Sequence, residues 1–285
     1  MSSLPVHALS TGPAVFAGAS SARLWAACQG GAPARDAEPG DIELAAALAR
    51  LGFHPQTTAL SNRLFHRRAV AHAAALGIRQ FLDVGCGLPA PAPLSGPGPA
   101  HPCQHDSGDG GVRVLCLDAD PEVVRAVRAR ATGRSPGTVT AAEADLGNSG
   151  HILELAREHL DLRRPVCLLL TAVLDHLPDE AGPQALIRRL TAALAPGSCL
   201  VISHLTDAYD PRLIRAVEVL LGEAGIGIRA RSRTAITALF TGTELAVPGL
   251  VPVSRWRQPD PGFASLHGNS VHLLGGLALV RGTAA

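Results

Sequence analysis

Residues 80–89 read Gln80-Phe81-Leu82-Asp83-Val84-Gly85-Cys86-Gly87-Leu88-Pro89. Gln80 to Val84 is a short, mainly apolar run, the pattern of a strand buried in a parallel sheet, and the chain turns at once through Gly85 and Gly87. Glycines carry no Cβ, so a bend built from them lets a ligand approach the backbone at the carboxyl edge of a sheet. A tight turn with no ligand fits the same residues, so the stretch gains meaning only from its neighbours.

Those neighbours follow the order of a parallel α/β sheet. Arg113 to Leu117 reads as a second strand, followed by a helix that starts at Asp120-Pro121 and runs to Ala131, because proline at a first helical position needs no amide partner. Thr138 to Ala142 fits a third strand. Val166 to Thr171 and Ser198 to His204 are continuous apolar strands of the kind buried on both faces. Pro183 to Leu194 reads as a helix stopped by Pro196-Gly197, and Pro211 to Gly222 and Thr234 to Phe240 as later helices, the last capped by Ser232. Leu277 to Val280 is the expected final strand. Upstream, Ile42 to Leu51 and Asn62 to Leu76 have apolar residues at helical spacing and should cap the sheet, while residues 1 to about 20 read as a loose tail. The expected division is 1–76 for tail and helical cap and 77–285 for the sheet, with a Pro/Gly-rich insertion at about 88–111 through which no helix can run.

Composition narrows the chemistry. All 25 basic residues are arginine, so the P-loop lysine and every Schiff-base mechanism are excluded by residue type. The net charge of +1 with 17% charged residues gives no basic surplus for a polynucleotide, and the 47% hydrophobic content is ample for a buried core. The six cysteines are scattered, three of them in apolar runs, and read as reduced thiols. No basic segment followed by an apolar stretch opens the chain and no apolar run reaches the roughly 18 residues of a span, so the cytoplasm is the expected location and no membrane partner is expected.

Four strand ends carry the candidate site. The bend supplies Asp83, Gly85, Cys86 and Gly87. The second strand ends in Leu117-Asp118-Ala119-Asp120, where Asp118 can accept from both hydroxyls of a ribose and Asp120 is assigned to the helix cap. Ala144-Asp145-Leu146 follows the third strand, where Asp145 can meet an adenine amino group or simply close a turn. Thr171-Ala172 and the following Asp175-His176 end the fourth, and His176 fits either a general base or a packed, capping histidine.

The series Phe81 to Pro89, Leu117 to Pro121, Ala144 to Leu146 and Ala172-Val173-Leu174-Asp175-His176-Leu177-Pro178-Asp179 resembles the S-adenosyl methyltransferase family once catalogued as a domain of unknown function, methyltransferase family 19. Asn62 to Val70 resembles that family's helix before the first strand, Ala195 to Ser198 its turn before the fifth, and Pro248-Gly249-Leu250-Val251-Pro252-Val253-Ser254-Arg255-Trp256-Arg257 its carboxyl-terminal signature. The resemblance implies a Rossmann-like class I methyltransferase, with a mostly parallel doubly wound sheet, an antiparallel last strand and S-adenosyl-L-methionine as cofactor. It implies a methyl acceptor, here a small molecule given the neutral charge. For a hydroxyl nucleophile the reaction needs a base in reach, and His176 is the best placed.

Two departures stand out. The family's Arg-x-Tyr-Asp-x-x-x-Gly-Gly-Lys-Asp-Asn stretch is here Arg23-Leu24-Trp25-Ala26-Ala27-Cys28-Gln29-Gly30-Gly31-Ala32-Pro33-Ala34, with most polar groups gone and no obvious replacement nearby. A catalytically degenerate SAM-binding protein is therefore a second reading. The insertion sets Asp118 33 residues after Gly85, against roughly 20 in the usual dinucleotide arrangement, so the usual first helix is expected to be missing. His101, Cys103 and His105 within it lack a fourth ligand at a usual spacing, and no metal site is expected. Gly85-Cys86-Gly87-Leu88-Pro89-Ala90 formally fits the nicotinamide motif Gly-x-Gly-x-x-Ala, a third reading, but that motif opens a helix and these prolines cannot continue one.

Overall fold

The computed structural model describes residues 16, 18–29, 37–89, 111–132, 138–259 and 271–282. Three helices precede the sheet: α1 (Ser21–Cys28), α2 (Pro39–Arg50) and α3 (Pro55–Ala75). The Ser20 hydroxyl accepts from the Arg23 amide and starts α1, while Asp41 accepts from the Glu38 amide and starts α2. Proline opens both α2 and α3. Buried Asp41 also binds the Arg23 guanidinium at 2.9 Å, and Arg23 reaches Glu122 at 3.3 Å, so one cation links α1, α2 and the helix that follows Asp120.

The remaining elements are β1 (Gln80–Val84), β2 (Arg113–Asp118), α4 (Pro121–Ala131), β3 (Val139–Glu143), α5 (Ser149–His159), β4 (Cys167–Thr171), α6 (Pro183–Ala192), β5 (Cys199–Leu205), α7 (Pro211–Glu223), α8 (Arg233–Ala238), β6 (Thr243–Leu245), β7 (Val251–Pro252) and β8 (Leu273–Val280). The strands form one sheet in the order β3-β2-β1-β4-β5-β8-β6, with β7 beside β8. The first five strands are mutually parallel, and β8 runs antiparallel to β5, β6 and β7. The expected mostly parallel sheet with an antiparallel last strand is what forms.

Two hydrophobic clusters follow from the period-2 alternation of side chains along buried strands. Phe81, Cys116, Leu169 and Val201 face α1 to α4 and α7, whereas Leu82, Leu117, Leu168 and Ile202 face α5, α6 and α8. A third contact region explains the carboxyl-terminal signature. Trp256 is fully buried edge-on against Phe65 of α3, ring centroids 5.3 Å apart, and Arg68 donates to the carbonyls of Trp256 and Val253 at 2.7 Å each. Burial lowers the Arg68 guanidinium to about 10. Gly275 completes the fit, since a Cβ there would lie 2.8 Å from both Phe65 Cζ and Val253 Cγ1.

Several boundaries differ from the sequence expectation. The last strand begins at Leu273, four residues earlier than its apolar run suggests, because the glycines required under Phe65 and beside Phe240 interrupt the pattern. Helix α1 is additional to the two expected helices, as are α5 and the short β6 and β7. Ser149-Gly150 hides the start of α5, which Asn148 caps by accepting from His151. The expected gap in place of a first helix and the His101, Cys103, His105 group lie mainly or wholly outside the described residues, among which no group of potential metal ligands occurs.

Candidate active site

Chain connections diverge between β1 and β4, the kind of switch point where open α/β sheets hold ligands. At the end of β1 the amides of Gly85 and Cys86 both donate to the Leu117 carbonyl, at 2.8 and 3.1 Å. Gly85 has φ +70° and Gly87 φ +65°, a region costly to other residues. A Cβ on Gly85 would lie 2.2 Å from Val173 Cγ2, whereas one on Gly87 would meet nothing within 4 Å. The first glycine is thus required by packing, and the second leaves open space above the bend.

Asp118 closes the bend from the neighbouring strand. Its Oδ2 accepts from the Gly87 amide and its Oδ1 from the Asp120 amide, both at 3.0 Å. Burial raises the Asp118 carboxyl above its ordinary range, the two amides offset part of this, and the charges of Asp120 and Asp83 add to it. Asp120 caps α4 by accepting from the Glu122 amide at 2.8 Å, the role assigned to it from sequence.

A cavity of about 540 Å³ opens over these groups. Gly85, Cys86, Gly87, Asp118, Ala119, Asp145, Leu146, Thr171, Ala172 and His176 all line it. Asp83 does not reach the wall: alternation turns it toward α3, where it is buried with Oδ2 3.9 Å from His66 Nε2. Asp145 Oδ1 accepts from the Gly147 amide at 2.8 Å, closing a turn while the residue stays on the wall.

The opposite wall comes from the helical cap, which sequence reasoning did not include in the site. Ser21, Trp25 and Gln29 of the α1 segment and Asn62, Arg63 and His66 of α3 line the cavity. Ser21, just before the amino-terminal stretch, and Gln29, within it, present a hydroxyl and an amide to the cavity. Arg63 donates to Gln29 Oε1 at 3.2 Å, and burial, with repulsion from Arg67 and Arg130, lowers its guanidinium below the usual arginine value. A polar stripe at Asn62-Arg63 and His66 within a buried helix was the signal available in the sequence.

His176 ends a single 3₁₀ turn, Leu174–His176, after β4. Its Nδ1 lies 2.9 Å from the Gly227 carbonyl and so carries the proton, which leaves Nε2 to accept from the Ser21 hydroxyl at 3.1 Å. Behind it, Asp175 Oδ1 accepts from the Leu205 amide at 2.8 Å and lies 2.7 Å from His204 Nδ1. Burial pushes the Asp175 carboxyl up, but His204 and the Leu205 amide outweigh it and hold the group below its ordinary range. Arg231 donates to His204 Nε2 at 2.7 Å, to the carbonyls of Leu174 and Leu177, and to Asp179 Oδ1. The turn that presents His176 is therefore fixed on its inner side by a buried ionic network.

The chain as a whole is similar to known proteins. A family model described as S-adenosyl methyltransferase matches residues 16–281. The chain belongs to the S-adenosyl methyltransferase family. A solved family protein of the DUF574 group from Streptomyces avermitilis MA-4680 is 31% identical, with a TM-score of 0.81 over 92% of this chain and 98% of that one. A protein described as a putative methyltransferase from Thermobifida fusca YX is 26% identical, with a TM-score of 0.77 over 92% and 95% of the two chains. Magnesium protoporphyrin IX methyltransferase from Synechocystis PCC 6803, solved with bound SAH, is 15% identical with a TM-score of 0.50 over 80% and 87%, a likeness of fold. No curated protein matches the sequence. As a member of this family the chain is an S-adenosyl-L-methionine-dependent methyltransferase with a methyl acceptor as its substrate, and neither a degenerate binding protein nor a nicotinamide oxidoreductase is favoured. No helix among the described residues is long and apolar enough to cross a membrane.

Proposed function

We propose that this methyltransferase acts on a small molecule, with the cofactor held along the strand ends and His176 serving as general base. The observation that carries the reading is the set of wall residues: one cavity joins the glycine bend and Asp118 to a histidine whose proton-accepting Nε2 meets a displaceable hydroxyl. Its volume of about 540 Å³ falls inside the roughly 300–1,000 Å³ range of small-molecule sites. Gly85 to Gly87 would receive the methionine portion, Asp118 and Ala119 the ribose, Asp145 and Leu146 the adenine, and Thr171 and Ala172 the floor near the sulfonium. Each Asp118 oxygen accepts one amide and has a lone pair left for a ribose hydroxyl. Arg63 supplies the cation for the methionine carboxylate, an anion that would relieve repulsion in its cation-rich surroundings. We assign Asp83 a supporting role behind the bend rather than direct contact.

When bound, the cofactor supplies an electrophilic methyl group on a sulfonium sulfur. His176 then takes the proton of the acceptor at Nε2, with its ring oriented by the Gly227 carbonyl. Helices α1 and α3 cover the cavity and limit water. The same reading makes residues up to 76 a cap, makes 77–285 the cofactor-binding unit, and locates the protein in the cytoplasm, where thiols such as those of Cys28, Cys167 and Cys199 would stay reduced. Calorimetry tests the site. S-adenosylhomocysteine should bind, Asp118→Ala should weaken it by about 1.5–3 kcal/mol, and His176→Ala should leave it unchanged while removing turnover. Full affinity in Asp118→Ala would refute the ribose assignment.

A further inference from the structure

A second, smaller cavity of about 70 Å³ lies behind His176 between α1, α2, α3 and α7. It shares Ser21, Trp25, Ala172, His176 and Ile226 with the larger cavity, so the two meet at the proton-accepting side of His176. Its deeper wall is apolar, built from residues such as Leu48, Phe53, Ala59, Val217 and Leu273. Thr58 also lines it, and the buried Thr58 hydroxyl makes no hydrogen bond among the described residues.

We propose that this recess holds an aliphatic branch of the methyl acceptor, so that the substrate is a small alcohol-type nucleophile with a short apolar chain that can end in one polar atom. Because the acceptor's reacting atom would sit at His176, this assignment rests on the cofactor site proposed above. A water-sized centre needs roughly 10–15 Å³, so about 70 Å³ takes about five non-hydrogen atoms. The acceptor hydroxyl replaces that of Ser21 at Nε2, and the chain enters between Trp25 and Ile226. Among the described residues the ionisable groups lining the recess are Cys28, Asp175 and His176; burial raises the Cys28 thiol and keeps it neutral, and Asp175 is committed to Leu205 and His204. A charged chain finds no partner there and is excluded.

The test uses straight-chain alcohols from ethanol to 1-octanol, titrated without cofactor and followed by Trp25 fluorescence against a Trp25→Phe reference. Affinity should rise about fourfold per methylene, the equivalent of about 0.8 kcal/mol each, and level off at about five carbons. Ala59→Phe should flatten the series while S-adenosylhomocysteine affinity stays within about twofold, and Val217→Leu probes a second helix if the first variant does not fold. 1,4-Butanediol should bind at least as well as 1-butanol, and Thr58→Val should reverse that order; an unchanged order overturns the role given to Thr58. A wild-type series with no dependence on chain length, or one untouched by both filling variants, overturns the recess. Failure of wild-type protein to bind S-adenosylhomocysteine overturns the cofactor site instead, and the alcohol series remains readable.

Discussion

Alanine at position 85 should damage the protein more than alanine at position 87, although both glycines have positive φ and stand two residues apart. Each substitution carries the left-handed backbone cost, about 1–2 kcal/mol for a residue with a Cβ. At Gly85 the new methyl also lies 2.2 Å from Val173 Cγ2 and 2.7 Å from Val173 Cβ, an overlap that forces movement and costs about a further 1–3 kcal/mol. Gly85→Ala is therefore expected to lose about 2–5 kcal/mol and Gly87→Ala about 1–2 kcal/mol in urea unfolding. Pairing Gly85→Ala with Val173→Gly should recover only the overlap, giving a coupling of about 1–3 kcal/mol in a double-mutant cycle. Since Val173 immediately precedes the turn that carries His176, the single variant should also lose turnover that the pair partly regains. Equal destabilisation by the two alanines, or strict additivity with Val173→Gly, would show that the contact does not set the bend.

Replacing Arg68 by Met should cost about 2–4 kcal/mol in the same unfolding assay, because the Trp256 and Val253 carbonyls lose charged donors; a loss below about 0.5 kcal/mol refutes the link. Arg23→Ala should cost about 3 kcal/mol, the low end for a broken buried pair, since the amides of Ser20 and Glu38 still serve Asp41. The Asp175 carboxyl, held low in the fold, contributes stability that is complete above its unfolded value near about 3.9 and is lost as pH falls through the lower folded value, so Asp175→Asn should remove part of the acid-side slope. Asp118 has the opposite sign: its raised folded value makes ionisation oppose folding as pH rises from about 4, so Asp118→Asn should remove that pH dependence, while the amide of Gly87 or Asp120 loses its acceptor and cofactor binding weakens.

The strands were legible because buried parallel strands are unbroken apolar runs, and β1 matches its expected limits of Gln80 and Val84. The start of α4 was legible through Asp120-Pro121, which carry a cap and a first-turn proline. That residues from four strand ends share one cavity wall was readable for the same reason, since topology alone brings such ends to one edge. Asp83 was placed with the bend but does not line the cavity, because adjacency to the bend says nothing of the face to which alternation turns a side chain. The contributions of Ser21 and Arg63 were hidden because they depend on how the preceding helices pack onto the strand ends, as when Ser21 meets His176 at a separation of 155 positions. Gly275 and Gly276 concealed half of β8, because residues chosen for close packing weaken the strand pattern that would reveal them.

The contact of Arg68 with Trp256 spans 188 positions and ties the helix that bears Arg63 to a segment made much later in translation. A ribosome therefore extrudes the bend, both acids and the histidine well before the buttress that steadies their covering helix. The nascent chain holds an incomplete pocket until that late segment and β8, the strand between β5 and β6, have emerged.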